Sequence, residues 1–72
     1  MDWDDLRIFL QLARTGQLAA AGRALGIDDT TVGRRVARLE RQVGAALVAR
    51  AGRRTVITEH GQKLAQAAEE IE

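Results

Sequence analysis

Apolar positions along this chain repeat at helical spacing, give way to two short runs of β-type residues, and then return to helical spacing. Leu6, Phe9, Leu10 and Ala13 follow i, i+3, i+4, i+7, which predicts a first helix capped by Asp4 or Asp5 and ended by Gly16. A shorter second helix is predicted from about Gln17 to Leu25, burying Leu18, Ala21, Gly22 and Leu25, with small residues that permit close approach to a neighbour. Gly26 closes it, Ile27 plugs the corner, and Asp28 is placed to cap a third helix. Leu47–Arg50 and Thr55–Thr58 then read as two strands around Ala51-Gly52-Arg53-Arg54. Thr58 caps a final helix whose apolar stripe is Leu64, Ala67, Ala68 and Ile71, still in phase at the last residue.

The third helix, about 28–43, is two-sided. At about 100° per residue, Val32, Val36, Leu39 and Val43 fall in one narrow sector. Arg34, Arg35, Arg38 and Arg41 fall opposite, with Thr31 beside them and Thr30 at the flank. One side can anchor in a core while the other offers a row of guanidinium groups to a polyanion. A helix of this kind, after a short helix and a tight turn, is what enters the major groove in helix-turn-helix proteins. An arginine-tipped hairpin after such a unit is a wing, whose tip can reach the phosphate backbone or an adjacent minor groove. The fold class expected is mainly α: a winged helix-turn-helix with a three-helix core, a two-stranded wing and a C-terminal helix.

Charge sharpens this picture. The net charge of +1 hides a segregation: residues 1–33 carry −2, residues 34–63 carry +6 from eight bases against two acids, and residues 64–72 carry −3. Local potential governs attraction to a polyanion, so the central block matters more than the total. Ten of the eleven bases are arginine, suited to bidentate phosphate and guanine contacts. At 72 residues the chain makes one small domain or a piece of a larger protein. It has no cysteine for disulfides or thiolate metal sites, and Trp3 and Phe9 are its only aromatics, too few for a base-stacking platform. No run approaches the length of a membrane span and MDWDDL lacks the basic start of a signal peptide, so a cytoplasmic, nucleoid-associated protein is expected. Adjacent carboxylates such as Asp4–Asp5 and Glu69–Glu70 diverge on a helix, and His60 has no second histidine or cysteine for a metal. Trp3 reads as packing over one end of the first helix. With no nucleophile–base constellation and no phosphate-cradling glycine loop, neither enzyme, cofactor nor metal site is expected.

The residues also carry a resemblance. Leu6-Arg7-Ile8-Phe9-Leu10 with Gly16-Gln17-Leu18, then Leu25-x-Ile27 into Val32-x-Arg34, Leu39-Glu40 and Gly44, then Leu47-x-x-Arg50 and Arg53-Arg54 through Thr58-Glu59-x-Gly61, together resemble the N-terminal winged helix-turn-helix domain of the LysR-type transcriptional regulators. The resemblance covers essentially the whole chain, with residues 1–58 as the DNA-binding domain and 59–72 as the start of a linker and dimerisation helix. It implies sequence-specific binding of a pseudo-palindromic double-stranded DNA site by a homodimer. Residues 28–34 would then enter the groove, with Asp29, Thr30, Thr31, Gly33, Arg34, Arg35 and Arg38 toward DNA. Arg50, Arg53 and Arg54 would lie on the backbone or minor groove, and Leu64, Ala67, Ala68 and Ile71 at the dimer contact. Family members continue into a domain that senses a small molecule; nothing in this chain corresponds to it, so an inducer is expected only if that domain exists.

The chain departs from the family pattern at Asp28-Asp29-Thr30, where Ser-Gln followed by Pro, Ser or Ala is common, at Gly33, often serine, and at Ala19, often threonine. Base preference is therefore not carried over. The rival expectations are a winged-helix protein-interaction module, with Asp28-Asp29 replacing DNA readout, and a competitor of longer relatives through mixed dimers.

Overall fold

The computed structural model describes residues 2–52 and 54–71. Its elements run α1 (Trp3–Thr15), α2 (Leu18–Leu25), α3 (Asp29–Val43), β1 (Val48–Ala51), β2 (Arg54–Ile57) and α4 (Glu59–Ile71). The strands form one antiparallel hairpin, with Val48 opposite Ile57 and Ala51 opposite Arg54. The winged helix-turn-helix expected from the sequence is the fold observed.

Helix α1 is the hub: it packs against α2, α3 and α4. A helix with three neighbours needs more than one apolar stripe. Accordingly Ile8 and Leu12 are buried together with the expected Leu6, Phe9 and Leu10. They meet Ala21 of α2, Val32, Val36 and Leu39 of α3, Leu47, and Ala68 of α4 in one cluster. Full burial of a side chain such as Phe9 or Leu39 contributes roughly 1.5–3 kcal/mol. Leu18, Leu25 and Ile27 pack at its edge, so Ile27 does fill the corner between α2 and α3.

That corner is tight. A Cβ on Gly22 would stand 2.6 Å from the Ile27 carbonyl oxygen, so only glycine lets α2 lie this close to the turn. Gly26 turns the chain at φ 72°, and the Ile27 N–H returns to the Gly22 carbonyl at 2.9 Å. Asp28 caps α3 as expected, its carboxylate accepting from the Thr30 N–H at 3.2 Å. Thr58 likewise caps α4, accepting from the Gly61 N–H at 3.0 Å.

Three expectations are corrected. The cap of α1 is Asp2, whose carboxylate accepts from the Asp4 N–H at 2.8 Å; Asp4 and Asp5 lie inside the first turn, where the helix dipole favours them. Both strands sit one residue nearer the tip than expected: Leu47 precedes β1 with its N–H held by Glu40, and Thr58 follows β2 as the cap of α4. Trp3 does not pack away: it is 68% exposed, at the rim of an apolar depression shared with Leu6, Leu10, Ala68 and Ile71.

Candidate nucleic-acid interface

The turn fixes how α3 is presented. With Val32, Val36 and Leu39 sunk in the core, the opposite side must face outward. Thr31, Arg34, Arg35, Ala37, Arg38 and Arg41 line one open groove along it. Its first turn carries Asp29 and Thr30, both exposed, and then Gly33, where an added Cβ would meet nothing within 4 Å. Gly33, Ala37 and Arg50 line a second depression, which joins α3 to the wing. Arg50 and Arg54 also border a polar cleft with Thr15, Gln17 and Ala19 at the turn before α2. The turn before α2, the outer side of α3 and the wing thus adjoin one another through depressions that share Ala37 and Arg50. Arg53 lies outside the described residues.

The arginines of α3 are not equivalent. Arg35 donates from Nε to Asp5 Oδ1 and from Nη2 to Asp4 at 2.7 Å. Arg38 donates from Nε and Nη2 to the two oxygens of Asp5 at 2.6 and 2.9 Å, and from Nη2 to Asp2 at 2.9 Å. Asp4 is shared with Arg7 at 2.7 Å. Asp5 is fully buried, and a buried carboxylate is tolerated only when charge and hydrogen bonds compensate it. The Arg38 guanidinium, aided by that of Arg35, holds the Asp5 carboxyl below the usual carboxylate range against the opposing push of burial. Arg7 first, then Arg35, does the same for Asp4, and the bonds to Asp5 in turn raise Arg35 and Arg38. These two arginines, expected toward DNA, clamp α3 to the start of α1 while still lining the outer groove. Among the described residues, Arg34, Arg41, Arg50 and Arg54 have no carboxylate partner and remain exposed.

Glu40 does a second structural job. Its Oε2 accepts from the N–H groups of Leu47 at 2.8 Å and Val48 at 3.2 Å, tying the root of the wing to α3. The wing is closed from the other side where the Thr58 hydroxyl donates to the Ala46 carbonyl at 2.6 Å.

The apolar residues expected at a subunit contact split. Ala68 is buried in the chain's own core and Leu64 packs half-buried against it, because α4 lies along α1. Ala67 and Ile71 are exposed, and Ile71 shares the depression rimmed by Trp3. Sequence reasoning missed the Asp2–Asp4–Asp5 cluster and Glu40. For Asp5 a signal exists: it stands in helical phase with Phe9 and Leu12, so a buried acid was implied, and Arg35 and Arg38 supply paired bases one turn apart. Glu40 has no comparable signal, since its partners are backbone groups of a later segment.

Among the described residues no group of His, Cys, Asp and Glu could hold a metal, and no helix is long and apolar enough to cross a membrane.

Comparison with known proteins agrees with this geometry. The family model for bacterial regulatory helix-turn-helix proteins of the LysR family matches residues 3–62. The chain is 37% identical over 68 residues to the HTH-type transcriptional regulator DmlR of Escherichia coli, covering 94% of this chain and 22% of that protein. It therefore spans about a quarter of the length of such relatives. Its fold superposes on the BenM DNA-binding domain in a complex with catB site 1 DNA at a TM-score of 0.92, with 25% identity over 99% of this chain and 79% of that one. It superposes on the CbnR DNA-binding domain in a DNA complex at 0.91, with 28% identity over 99% and 82% of the two chains.

Proposed function

Because the chain belongs to the LysR family of bacterial regulatory helix-turn-helix proteins, we propose that it is the DNA-reading part of a transcriptional regulator, binding double-stranded DNA sequence-specifically. Helix α3 enters the major groove, with residues 28–34 at base edges, and Arg50 and Arg54 lie along the backbone or an adjacent minor groove. The observation that carries this reading is the set of exposed arginines without a carboxylate partner among the described residues, Arg34 and Arg41 on α3 with Arg50 and Arg54 on the adjoining wing. Cations left without counter-charge beside an open groove are matched to a polyanion. The superposition on two domains solved as DNA complexes supports the same docking. An apolar protein partner would have no use for these arginines, so the interaction-module reading is set aside.

The protein acts as a homodimer on a pseudo-palindromic site, with the exposed Trp3, Ala67 and Ile71 at the subunit contact, while Leu64 and Ala68 hold α4 to its own domain. The test is fluorescence anisotropy of a labelled duplex titrated across a salt series. Affinity should fall steeply, each neutralised phosphate adding about −0.9 to the log–log slope. Salt-insensitive association, or none at low salt with the chain folded, would overturn the reading.

A further inference from the structure

We infer that Asp29 is a specificity-determining residue of the reading face, one that accepts a hydrogen bond from the exocyclic amino group of a cytosine in the major groove. This rests on the DNA-binding reading above and extends it to a particular base.

Two aspartates stand at the start of α3, and the structure separates their roles. Asp28 is occupied, its carboxylate taken by the Thr30 N–H. Asp29 is exposed and has no hydrogen bond or ion pair among the described residues. A free carboxylate at the leading end of a helix that approaches phosphates is a liability unless it meets a donor. An ionised carboxylate can only accept. The major-groove edge offers donors in two places, the amino groups of cytosine and of adenine; guanine presents two acceptors there and thymine an acceptor and a methyl group. Adenine's amino group is flanked by acceptors on both sides, its own N7 and O4 of the paired thymine, which a second carboxylate oxygen would repel, whereas cytosine's has an acceptor on one side only, O6 of the paired guanine. Cytosine is thus the base this group fits.

Reach is the second requirement, because the aspartate arm is short. Asp29, Gly33 and Ala37 succeed one another at i, i+4 along one flank of α3. Gly33 leaves open space where a side chain would stand, and Ala37 adds only a methyl group. Along this low lane a base-pair edge can come close enough for a short carboxylate to touch it, with the exposed Thr30 and Arg34 on the neighbouring flank.

The experiment begins with a pool of duplex DNA with a randomised core, enriched on the wild-type 72-residue chain. Enrichment of no sequence would break the DNA-reading proposal itself, and Asp29 with it. Given an enriched duplex, every single-base variant is then competed against it with the wild type, Asp29→Asn and Asp29→Ala. Thermal melts run alongside to establish that the exposed substitutions leave the fold intact. The expected result is one position per half-site where the wild type prefers cytosine by roughly 5- to 150-fold. Asp29→Asn should move that preference toward adenine, which asparagine contacts through N6 and N7, with other positions unchanged. If both variants bind all duplexes tighter by one common factor and keep the same base profile, Asp29 is only a repulsive charge and the inference fails.

Discussion

Arg34 and Arg35 are neighbours in sequence, of one residue type and on one helix, yet they belong to different parts of the molecule. Arg35, with Arg38, is drawn back to the carboxylates of Asp2, Asp4 and Asp5 and fastens α3 to α1. Arg34, with Arg41, stays exposed on the outer groove without a carboxylate partner among the described residues. A step of about 100° around the helix separates a strut from a probe. Charge content alone therefore overstates what a basic helix offers to DNA: of four arginines on the outer side of α3, two are already neutralised from within.

The most severe way to break this distinction is at the buried carboxylate. Asp5→Ala leaves Arg35 and Arg38 without their shared anchor and should destabilise the domain by about 3 kcal/mol, the lower end for breaking a buried pair, since both guanidinium groups keep partial contact with water. Urea denaturation measures it; an unchanged midpoint would mean that the clamp contributes nothing. Next in size is the contrast between neighbours. Arg34→Ala should weaken binding to the preferred duplex roughly tenfold to a hundredfold while leaving the melting temperature in place. Arg35→Ala should lower the melting temperature and, below it, leave the salt slope of binding as it was. Equal effects of the two changes on slope and melting would erase the distinction. Smallest is acidification. Asp4 and Asp5 have carboxyl groups held below their unfolded values, so their contribution is complete above about pH 4 and declines as pH falls below that. A stability profile from pH 6 to pH 2 should bend downward there, and less so in Asp5→Asn.

Much of the fold was legible in the chain because its signals are local. Gly16, Gly26 and Gly44 each stand at a helix end at positive φ, Asp28 and Thr58 cap where they were placed, and the alternation about Gly52 marks the hairpin. The misreadings arise where partners lie far apart in sequence. Arg35 and Asp5 are separated by 30 residues, so a wheel drawn on α3 alone shows an exposed base where the folded chain has an ion pair. Ala68 looks like an intersubunit residue on its own helix and turns out to face α1, because α4 lies back along the domain. Trp3 was placed by its apolarity, but the depression it borders is open to solvent. Of the residues at the outer surface, Thr30 and Arg34 follow from exclusion from the core pattern, Arg54 from the hairpin tip, and Asp29 and Arg50 from the family resemblance; none of these criteria tells what a side chain has already bound.

The Glu40 carboxylate, holding the first two N–H groups at the root of the wing, makes the hairpin and α3 a single two-pronged gauge. The spacing between α3 and the root of the wing is therefore built into the fold. If α3 and the wing contact one duplex as proposed, a duplex whose groove spacing does not match that spacing must itself bend or twist to meet both. Sequence-dependent stiffness of the DNA between the contacts then becomes a source of selectivity at base pairs that no side chain touches.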